Sequence, residues 1–536
     1  MTIVAREVPM LGLIGIILSL GLLMFLAYRG INVLVLAPLL ALLATLFAAQ
    51  PLLATYTQVF MPALGKYAMT YFPLFLLGAI FGKLMDDAGA ARAIAHSIAD
   101  RLGSGRAVLA IVLSCALLTY GGVSLFVVAF AVFPIAAALF REAAVPRRFI
   151  PAAIALGSFT FTMTALPGTP AIQNAIPSPY FGTNAFAAPG LGIIGGLVMF
   201  GGGMAWLTVR TRRAMAAGEG YDDGPLMRAG GAPVAGPDVS GSGGTAGGGG
   251  GAAKSNERAG SRGTGSGGTG SRGTGPFERD AEAAPAGDQH AGTLTEAPPQ
   301  ADDRPSMALA MIPIVVVIAA NYALVNWIFP AMDFDYLGQD AYGNTDIATV
   351  GGIWAIIVAL VLACGCILVL FWRRIADAKQ SLNAGTMGSL LPIFNTASEV
   401  GYGAVIASLP AFTIVKNAVL GITGNPVLNL AVAVNVLAGI TGSASGGMSI
   451  ALQTLGETFR QQAEAQGISL ELMHRVTAMA SGGFDSLPHN GAVITLLAIC
   501  GLSHRQSYKD IGVVSVVIPV IATIVVVILG SIFGGF

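Results

Sequence analysis

Charged residues are scarce in this chain, and their scarcity excludes an ordinary water-soluble protein. Only 10% of the 536 residues are Asp, Glu, Lys or Arg, whereas 54% are hydrophobic. A soluble globular protein contains about 25% charged residues. Apolar runs in this sequence instead reach the roughly 20 residues that are needed to cross a hydrocarbon core. The composition therefore predicts a multi-pass protein embedded in a lipid bilayer.

Cysteine is also rare, and the motifs of several enzyme classes are missing. Cys115, Cys364, Cys366 and Cys500 lie in apolar segments without His or carboxylate residues at metal-ligand spacing, so we expect buried, inert thiols and no metal or cofactor. There is no Walker A lysine motif, which argues against an ATP-driven pump. The G-x-G-x-x-G match at 190–195 opens an apolar span with no strand before it, which favours helix packing over nucleotide binding.

Ten apolar stretches are predicted to span the membrane, five on each side of a tract rich in glycine and serine. That tract, 214–305, cannot bury enough apolar surface to offset its ordering entropy, so we expect a disordered linker. Its few Arg-Gly repeats lack aromatic residues, and no nucleic-acid partner is expected. The predicted domains are a first membrane repeat (1–213), the linker (214–305) and a second membrane repeat (306–536). The spans lie near 11–27, 31–49, 59–82, 150–175, 190–209, 307–330, 347–372, 386–412, 475–500 and 511–536.

Two further apolar stretches, 107–139 and 427–456, are interrupted by glycine and serine at 120–124 and 442–449. Their flanks hold only about a dozen apolar residues, which is short for a span and favours re-entrant hairpins. One kinked span in each place is the alternative. With hairpins and an external N-terminus, sixteen Lys and Arg residues are cytoplasmic and five are external, as the positive-inside rule requires. Both termini are then periplasmic or extracellular, and the linker is cytoplasmic. The five external residues are Arg6, Lys66, Lys416, Arg460 and Arg475.

The two membrane halves carry similar motifs in the same order. Residues 121–125 match 446–450 at an offset of 325, and Leu166-Pro167 matches Leu487-Pro488 at an offset of 321. Because five crossings are an odd number, the second repeat enters the membrane from the opposite side. The predicted fold is an all-α polytopic membrane protein with two inverted repeats of five transmembrane helices, each with a re-entrant helical hairpin and a broken helix.

Polar and ionisable groups concentrate in the two hairpin tips and in two proline-interrupted spans, 160–174 and 481–491. Proline frees backbone groups at depth, and half-helix N-termini suit a carboxylate ligand. A kinked packing helix is the alternative. Asp485 and His489 lie within an apolar span, where ionisable groups are costly, so both are candidates for ion coupling. Their pairing with each other is the competing interpretation. Glu399 is a further coupling candidate, or else a hydrogen-bonded structural acid.

Three stretches, 119–134, 154–177 and 480–501, resemble the gluconate permease (gluconate:H⁺ symporter) family of the ion-transporter superfamily, including its 3-hydroxybutyrate permease-like branch. The resemblance implies a homodimer with an elevator-type transport domain of two hairpins and two broken helices. The candidate substrate-binding residues, from the polar segments and from this resemblance, are Gly121, Gly122, Ser124, Thr164, Pro167, Gly168, Thr169, Asn174, Ser443, Ser445, Gly446, Gly447, Ser486, His489 and Asn490.

The resemblance implies a carrier of the inner membrane rather than an enzyme. It would import a small hydroxy-monocarboxylate by proton symport. The first hairpin tip is followed by apolar residues, Leu125 to Val127, where gluconate carriers have an acidic group. This difference favours a short acid such as 3-hydroxybutyrate over gluconate. A Na⁺-coupled organic-anion symporter is the nearest alternative, and a passive anion channel or an intramembrane enzyme are more distant ones.

Overall fold

The computed structural model describes residues 4–29, 31–221, 226–227, 233–234, 304–488 and 490–536, and the chain is mainly helical there. The predicted all-α class is confirmed for this part of the chain. Most of the predicted linker and His489 lie outside the described residues. Between 222 and 303 the structure describes only a two-residue antiparallel pair, β1 (Leu226–Met227) with β2 (Pro233–Val234).

The first half contains three long helices, a helical hairpin and a series of short helices. A π-helical turn, Tyr56–Phe60, joins α3 and α4 into one continuous helix of 36 residues. The helices are α1 (Val4–Tyr28), α2 (Val33–Phe47), α3 (Leu52–Thr55), α4 (Met61–Asp87), α5 (Ala90–Leu102), α6 (Ala107–Tyr120), α7 (Leu125–Glu142), α8 (Ile150–Ser158), α9 (Phe161–Thr164), α10 (Ile172–Ala175), α11 (Ser178–Phe181) and α12 (Pro189–Ala216).

The second half also contains long helices, a helical hairpin and several shorter helices. A π-helical turn, Val513–Val517, joins α21 and α22 into 30 continuous residues, and another, Leu324–Ile328, extends α13. The helices are α13 (Met307–Ala323), α14 (Ile347–Leu370), α15 (Ala378–Ser408), α16 (Phe412–Leu420), α17 (Pro426–Thr441), α18 (Ala444–Ala465), α19 (Leu470–Ser481), α20 (Gly491–Cys500), α21 (His504–Gly512) and α22 (Ile518–Phe533).

Several of these helices are suited to a membrane by length and composition. Within the described residues, five helices are long and apolar enough to cross a bilayer, or seven if each of two bent helix pairs is one span. Large apolar side chains are exposed along them, for example Leu53 (75%), Val369 (73%) and Phe533 (68%). A surface of this kind suits lipid rather than water. The chain is therefore membrane-embedded and multi-pass, while the number of ten crossings stays a prediction.

Both interrupted stretches fold as helical hairpins, in which two helices joined by a tight turn pack against each other. The first consists of α6 and α7, and the second of α17 and α18. Their arms are 14 to 22 residues long, which is more than the number of apolar residues counted in each flank. Counting apolar residues ended each arm too early, because the helices continue through their polar ends.

The second hairpin tip is shorter than the predicted 442–449. Only Gly442 and Ser443 form the turn, because the Ser443 hydroxyl caps α18 by accepting a hydrogen bond from the Gly446 amide (3.1 Å). Ser445, Gly446 and Gly447 therefore lie in the first turn of a helix and not in a loop. These glycines permit close packing, since a methyl group on Gly447 would overlap the backbone of Ala438 in α17.

Two features of the two halves are separated by the same distance along the sequence. The first arm ends at Tyr120 in one hairpin and at Thr441 in the other, and 441 is 321 residues after 120. The same offset relates Leu166-Pro167 to Leu487-Pro488. The glycine motifs match at an offset of 325 instead. That offset pairs the turn at 121–124 with residues inside α18, because short Gly-Gly sequences serve both tight turns and helix packing.

Candidate functional site

The first helix break lies between α9 and α10, at residues 165–171. Pro167 and Pro170 cannot donate backbone hydrogen bonds, and Gly168 adopts a φ of +81°, which favours glycine. The Gly168 amide donates to the Ala185 carbonyl (2.8 Å), and the Tyr120 hydroxyl donates to the Pro167 carbonyl (2.7 Å). The broken backbone is thus held by the loop before α12 and by the last residue of α6.

Asn174 binds the two sides of this break together. Its amide nitrogen donates to the Thr169 carbonyl (3.2 Å) and to the Ala185 carbonyl (2.7 Å), and the residue is fully buried. Its Oδ1 atom accepts hydrogen bonds from residues of the other half of the chain. Asn174 was predicted as a binding residue, and here it also fixes the shape of the break.

Arg475 and His474 are the residues of the other half that reach Asn174, and both are completely buried. Arg475 Nη1 donates to Asn174 Oδ1 (3.0 Å), and its Nε donates to the Ala187 carbonyl (2.9 Å). Its Nη2 donates to the carbonyls of Ala187 (2.7 Å) and Ala185 (3.2 Å). The guanidinium therefore binds neutral oxygens. Among the described residues, no carboxylate lies within ion-pair distance of it.

His474 completes this cluster without adding a charge. Its Nε2 lies 3.3 Å from Asn174 Oδ1, and its Nδ1 lies 2.7 Å from the Thr183 hydroxyl. Because Asn174 Oδ1 can only accept, Nε2 donates there and Nδ1 accepts from Thr183, which is a neutral imidazole. Arg475 is therefore the charged group of the cluster.

The sequence placed Arg475 on the external side of the membrane, which stays a prediction, but it did not indicate that the side chain is buried. Arg475 stands at the first residue of a predicted span, where a flanking cation is the usual interpretation. Its burial depends on the carbonyls of Ala185 and Ala187, some 290 residues away in the chain. Sequence reasoning also missed Asn321, because its partner is distant in the chain. The amide of Asn321 approaches the Gly168 carbonyl at 3.5 Å. Both are polar residues in apolar stretches, and that is the signal that could have identified them.

The second break lies between α19 and α20, at residues 482–490. Asn490 caps α20 by accepting from the amides of Ala492 (2.6 Å) and Val493 (3.1 Å), and it donates to the Gly442 carbonyl (2.6 Å) at the second hairpin tip. Asp485 is half-buried and accepts a hydrogen bond from the Ser486 hydroxyl (2.9 Å). The predicted residues Asp485, Ser486 and Asn490 therefore share one short loop.

The two breaks meet where α9 packs against α19. A methyl group on Gly482 would lie 2.9 Å from the Thr164 methyl carbon, so the two backbones approach closely at this point. Each hairpin tip also lies on the break of its own half. A methyl group on Gly122 would lie 2.8 Å from Pro170, and the second tip receives the hydrogen bond from Asn490.

Comparison with known proteins supports a transport role for this arrangement. No family model matches the chain. It is 42% identical over 512 residues, 94% of this chain and 96% of the relative, to a Bacillus subtilis (strain 168) protein named uncharacterized transporter YxjC. The chain belongs to this transporter family. A transporter relative is consistent with the expectation that the chain is not an enzyme.

In this transporter the predicted site residues separate into two neighbouring groups. One surrounds the breaks and consists of Gly122, Thr164, Pro167, Gly168, Thr169, Asn174, Ser486 and Asn490. The second hairpin tip forms the other group. Ser443 and Gly446 lie near Glu399 of α15, Ser445 lies near Thr396 of α15, and Gly447 packs against Ala438 of α17.

Two predicted residues belong to neither group. A methyl group on Gly121 would lie 2.7 Å from Ile314, so this glycine permits packing against α13. Ser124 precedes α7 and lies beside Gly82 of α4.

Proposed function

We propose that this transporter is a secondary active carrier that imports a small hydroxy-monocarboxylate, such as 3-hydroxybutyrate or gluconate, by proton symport. The observation that carries the proposal is the meeting of two helix breaks beside the buried guanidinium of Arg475. Within the described residues this cation forms no ion pair, although Glu471 lies near enough to interact with it electrostatically. A buried cation of this kind favours a carboxylate nearby. The surrounding hydroxyl, amide and carbonyl groups suit the hydroxyl groups of such a substrate.

The route for the substrate lies between the two halves in this proposal. Backbone groups outside regular helices at 165–171 and 482–488 are tolerable at membrane depth only beside protein or an aqueous cavity. The contact of Thr164 with Gly482 would part when the site opens. The repeated order of hairpin, broken helix and long helix supports two structural repeats. Their inversion, an elevator movement and a homodimer in the inner membrane, with both termini outside, are parts of the proposal that derive from the gluconate permease resemblance.

Coupling to protons requires an ionisable group that changes its charge during the cycle. Asp485 and Glu399 are the two carboxylates predicted for this role within the described residues, and His489 is a third candidate outside them. Sodium coupling is the alternative, and it would use the same carboxylates. A passive anion channel would need no coupling group.

Uptake into proteoliposomes separates these functions. The purified full-length protein is reconstituted, and accumulation of labelled 3-hydroxybutyrate and of labelled gluconate is measured under an inward proton gradient, an inward Na⁺ gradient, or neither. We expect uphill accumulation only with the proton gradient. Accumulation that follows Na⁺ would replace the coupling ion. Equilibration without accumulation would indicate a channel, and transport of neither acid would reject this substrate class.

A further inference from the structure

Glu399 is a buried carboxylate in the middle of α15, and only 3% of the residue is exposed. Its Oε2 atom has no hydrogen-bond partner among the described residues. It lies against Gly446, where the Cβ atom of any other residue would overlap Oε2. Because glycine has no side chain, position 446 leaves the space that the carboxylate occupies.

The N-terminus of α18 faces this carboxylate. Ser443 caps the helix through the Gly446 amide (3.1 Å), and the Ser443 side chain also lies within hydrogen-bonding reach of Glu399. The Ser445 hydroxyl is 3.4 Å from Ser443 and 3.4 Å from Thr396. The amino end of a 22-residue helix carries a partial positive charge. This end can stabilise a carboxylate without neutralising it.

Two hydroxyl groups provide an independent indication of a binding site. The hydroxyls of Tyr67 in α4 and Ser449 in α18 are buried without a geometrically acceptable hydrogen bond, although the two side chains are neighbours. Tyr67 is also close enough to Glu399 to interact with it electrostatically. Unpartnered polar atoms are rare in buried sites because each costs free energy. Three of them, from three helices, converge here.

The other elements packed against α15 bring no compensating charge to Glu399. Tyr67 is the titratable group that faces it from α4, α18 contributes hydroxyls, and α2 contains no ionisable side chain. The π-helical turn contributes only Tyr56 and α16 only Lys416, and neither forms an ion pair with it. Within the described residues, Glu399 has no basic partner.

We propose that Glu399, with Ser443, Tyr67 and Ser449, is the proton-coupling site of the carrier, separate from the substrate site at the breaks. This inference rests on the proposed symport. The Glu399 carboxylate takes a proton from the external aqueous phase, becomes a neutral carboxyl, and releases the same proton to the cytoplasm. Asp485 is a weaker candidate because it is half-buried and already accepts a hydrogen bond from Ser486.

A short path connects this site to the substrate site. Ser443 follows Gly442, and the Gly442 carbonyl accepts the hydrogen bond of Asn490 in the second break (2.6 Å). Protonation of Glu399 removes its attraction to the amino end of α18. The second hairpin tip can then move relative to α15. In this way the charge state of Glu399 controls the tip that contacts the second break.

The test compares Glu399→Gln with Glu457→Gln, which neutralises an exposed carboxylate of α18, as the matched control, and with Asp485→Asn, the rival coupling carboxylate, using the full chain in proteoliposomes. The probe is whichever of labelled 3-hydroxybutyrate and gluconate the wild type accumulates. We expect Glu399→Gln to reduce proton-driven accumulation by about tenfold or more, in the range of coupling between sites. Counterflow should persist in this variant and lose its pH dependence, whereas Glu457→Gln should keep proton-driven accumulation.

Three outcomes would overturn the assignment: proton-driven accumulation that survives in Glu399→Gln, its loss only in Asp485→Asn, or loss of counterflow in a folded Glu399→Gln protein. If Glu399→Gln does not fold, Tyr67→Phe and Ser449→Ala replace it, and each should shift the pH dependence of counterflow. An unchanged profile in both would contradict the proposal.

A measurement without substrate separates this inference from the proposed function. In infrared difference spectra after a pH jump, wild type should show a carboxyl C=O band that Glu399→Gln lacks and Asp485→Asn retains. If the wild type shows this band but does not transport the substrate, only the proposed symport is contradicted. Absence of the band from wild type, or its persistence in Glu399→Gln, would count against Glu399 itself.

Discussion

The two helix breaks occupy equivalent positions in the two halves, yet different parts of the chain satisfy their polar groups. The first break is held by its own half, through Tyr120 and Asn174, and also by the other half, through Arg475 and Asn321. The second is held by its own half, through the hydrogen bond from Asn490 to Gly442. A repeated backbone pattern therefore carries two different sets of interactions.

The breaks also differ in charge. The first is associated with a buried guanidinium, and the second contains the carboxyl group of Asp485. Residues 160–174 themselves carry only neutral polar groups. The positive charge at the first break comes from Arg475, about 300 residues later. This asymmetry places the cation that would favour an anionic substrate at the first break.

The largest effect is expected from Arg475→Gln, which would remove the charge from the first break. Loss of charged hydrogen bonds to Ala185, Ala187 and Asn174 should destabilise the protein by about 3 kcal/mol or more. Uptake should fall with it. Thermal unfolding of the purified protein measures the first effect, and proteoliposome uptake measures the second.

Arg460→Gln is the control for this change. Arg460 is another residue predicted to be external, but it forms an exposed i,i+4 pair with Glu464 (3.0 Å), so we expect a change below about 1 kcal/mol. If the two variants were equally stable, the buried Arg475 would not distinguish the first break from the second.

An intermediate effect is expected from Gly482→Ala, at the contact between the breaks. The added methyl group would lie 2.9 Å from the Thr164 methyl carbon, and overpacking of this kind costs about 1 to 3 kcal/mol. Unfolding and uptake both measure the result. Gly491→Ala is the control, because nothing lies within 4 Å of the added methyl group. Addition of Thr164→Ser, which deletes the clashing methyl group, should restore Gly482→Ala. Without this rescue, the breaks do not meet as described.

The smallest effect on stability is expected at Asp346, which lies outside both breaks. It shows how much a residue unrelated to the breaks contributes to the pH dependence of stability. Hydrogen bonds from the hydroxyl and amide of Thr349 lower the pKa of this exposed N-cap residue of α14. Its contribution to the free energy of unfolding is therefore present above the pKa of the unfolded state, about 3.9. This contribution is lost as pH falls through the lower pKa of the folded state.

Because Asp346 is exposed, its contribution should be below about 1 kcal/mol. Asp346→Ala should therefore lower the stability slightly at neutral pH and leave it unchanged well below the folded pKa, so that the pH dependence of stability is reduced only at acidic pH. Thermal unfolding across this pH range measures the difference, and a stability difference between wild type and variant that grows as the pH falls would contradict this role of Asp346.

Local sequence signals predicted the positions of the breaks and hairpins well. Pro167, Pro170 and Gly168 interrupt the first span because two of them lack an amide donor and one adopts a positive φ. Such effects operate within a few residues and can be read from the chain. The roles of Gly446 and Gly447 could not be read from the sequence, because they depend on contacts with Glu399 and with α17. Glycine is used both for close packing and for tight turns, so its presence alone does not distinguish the two.

The sequence by itself determined that this protein lies in a membrane, consists of helices, and breaks them at matching points in two halves. Hydropathy, proline and glycine act locally, so these features do not depend on distant residues. Only the tertiary structure decided which charges are buried. Arg475 and Glu399 are tolerated inside because carbonyls and a helix N-terminus from distant segments surround them. Such compensation exists only after the chain has folded.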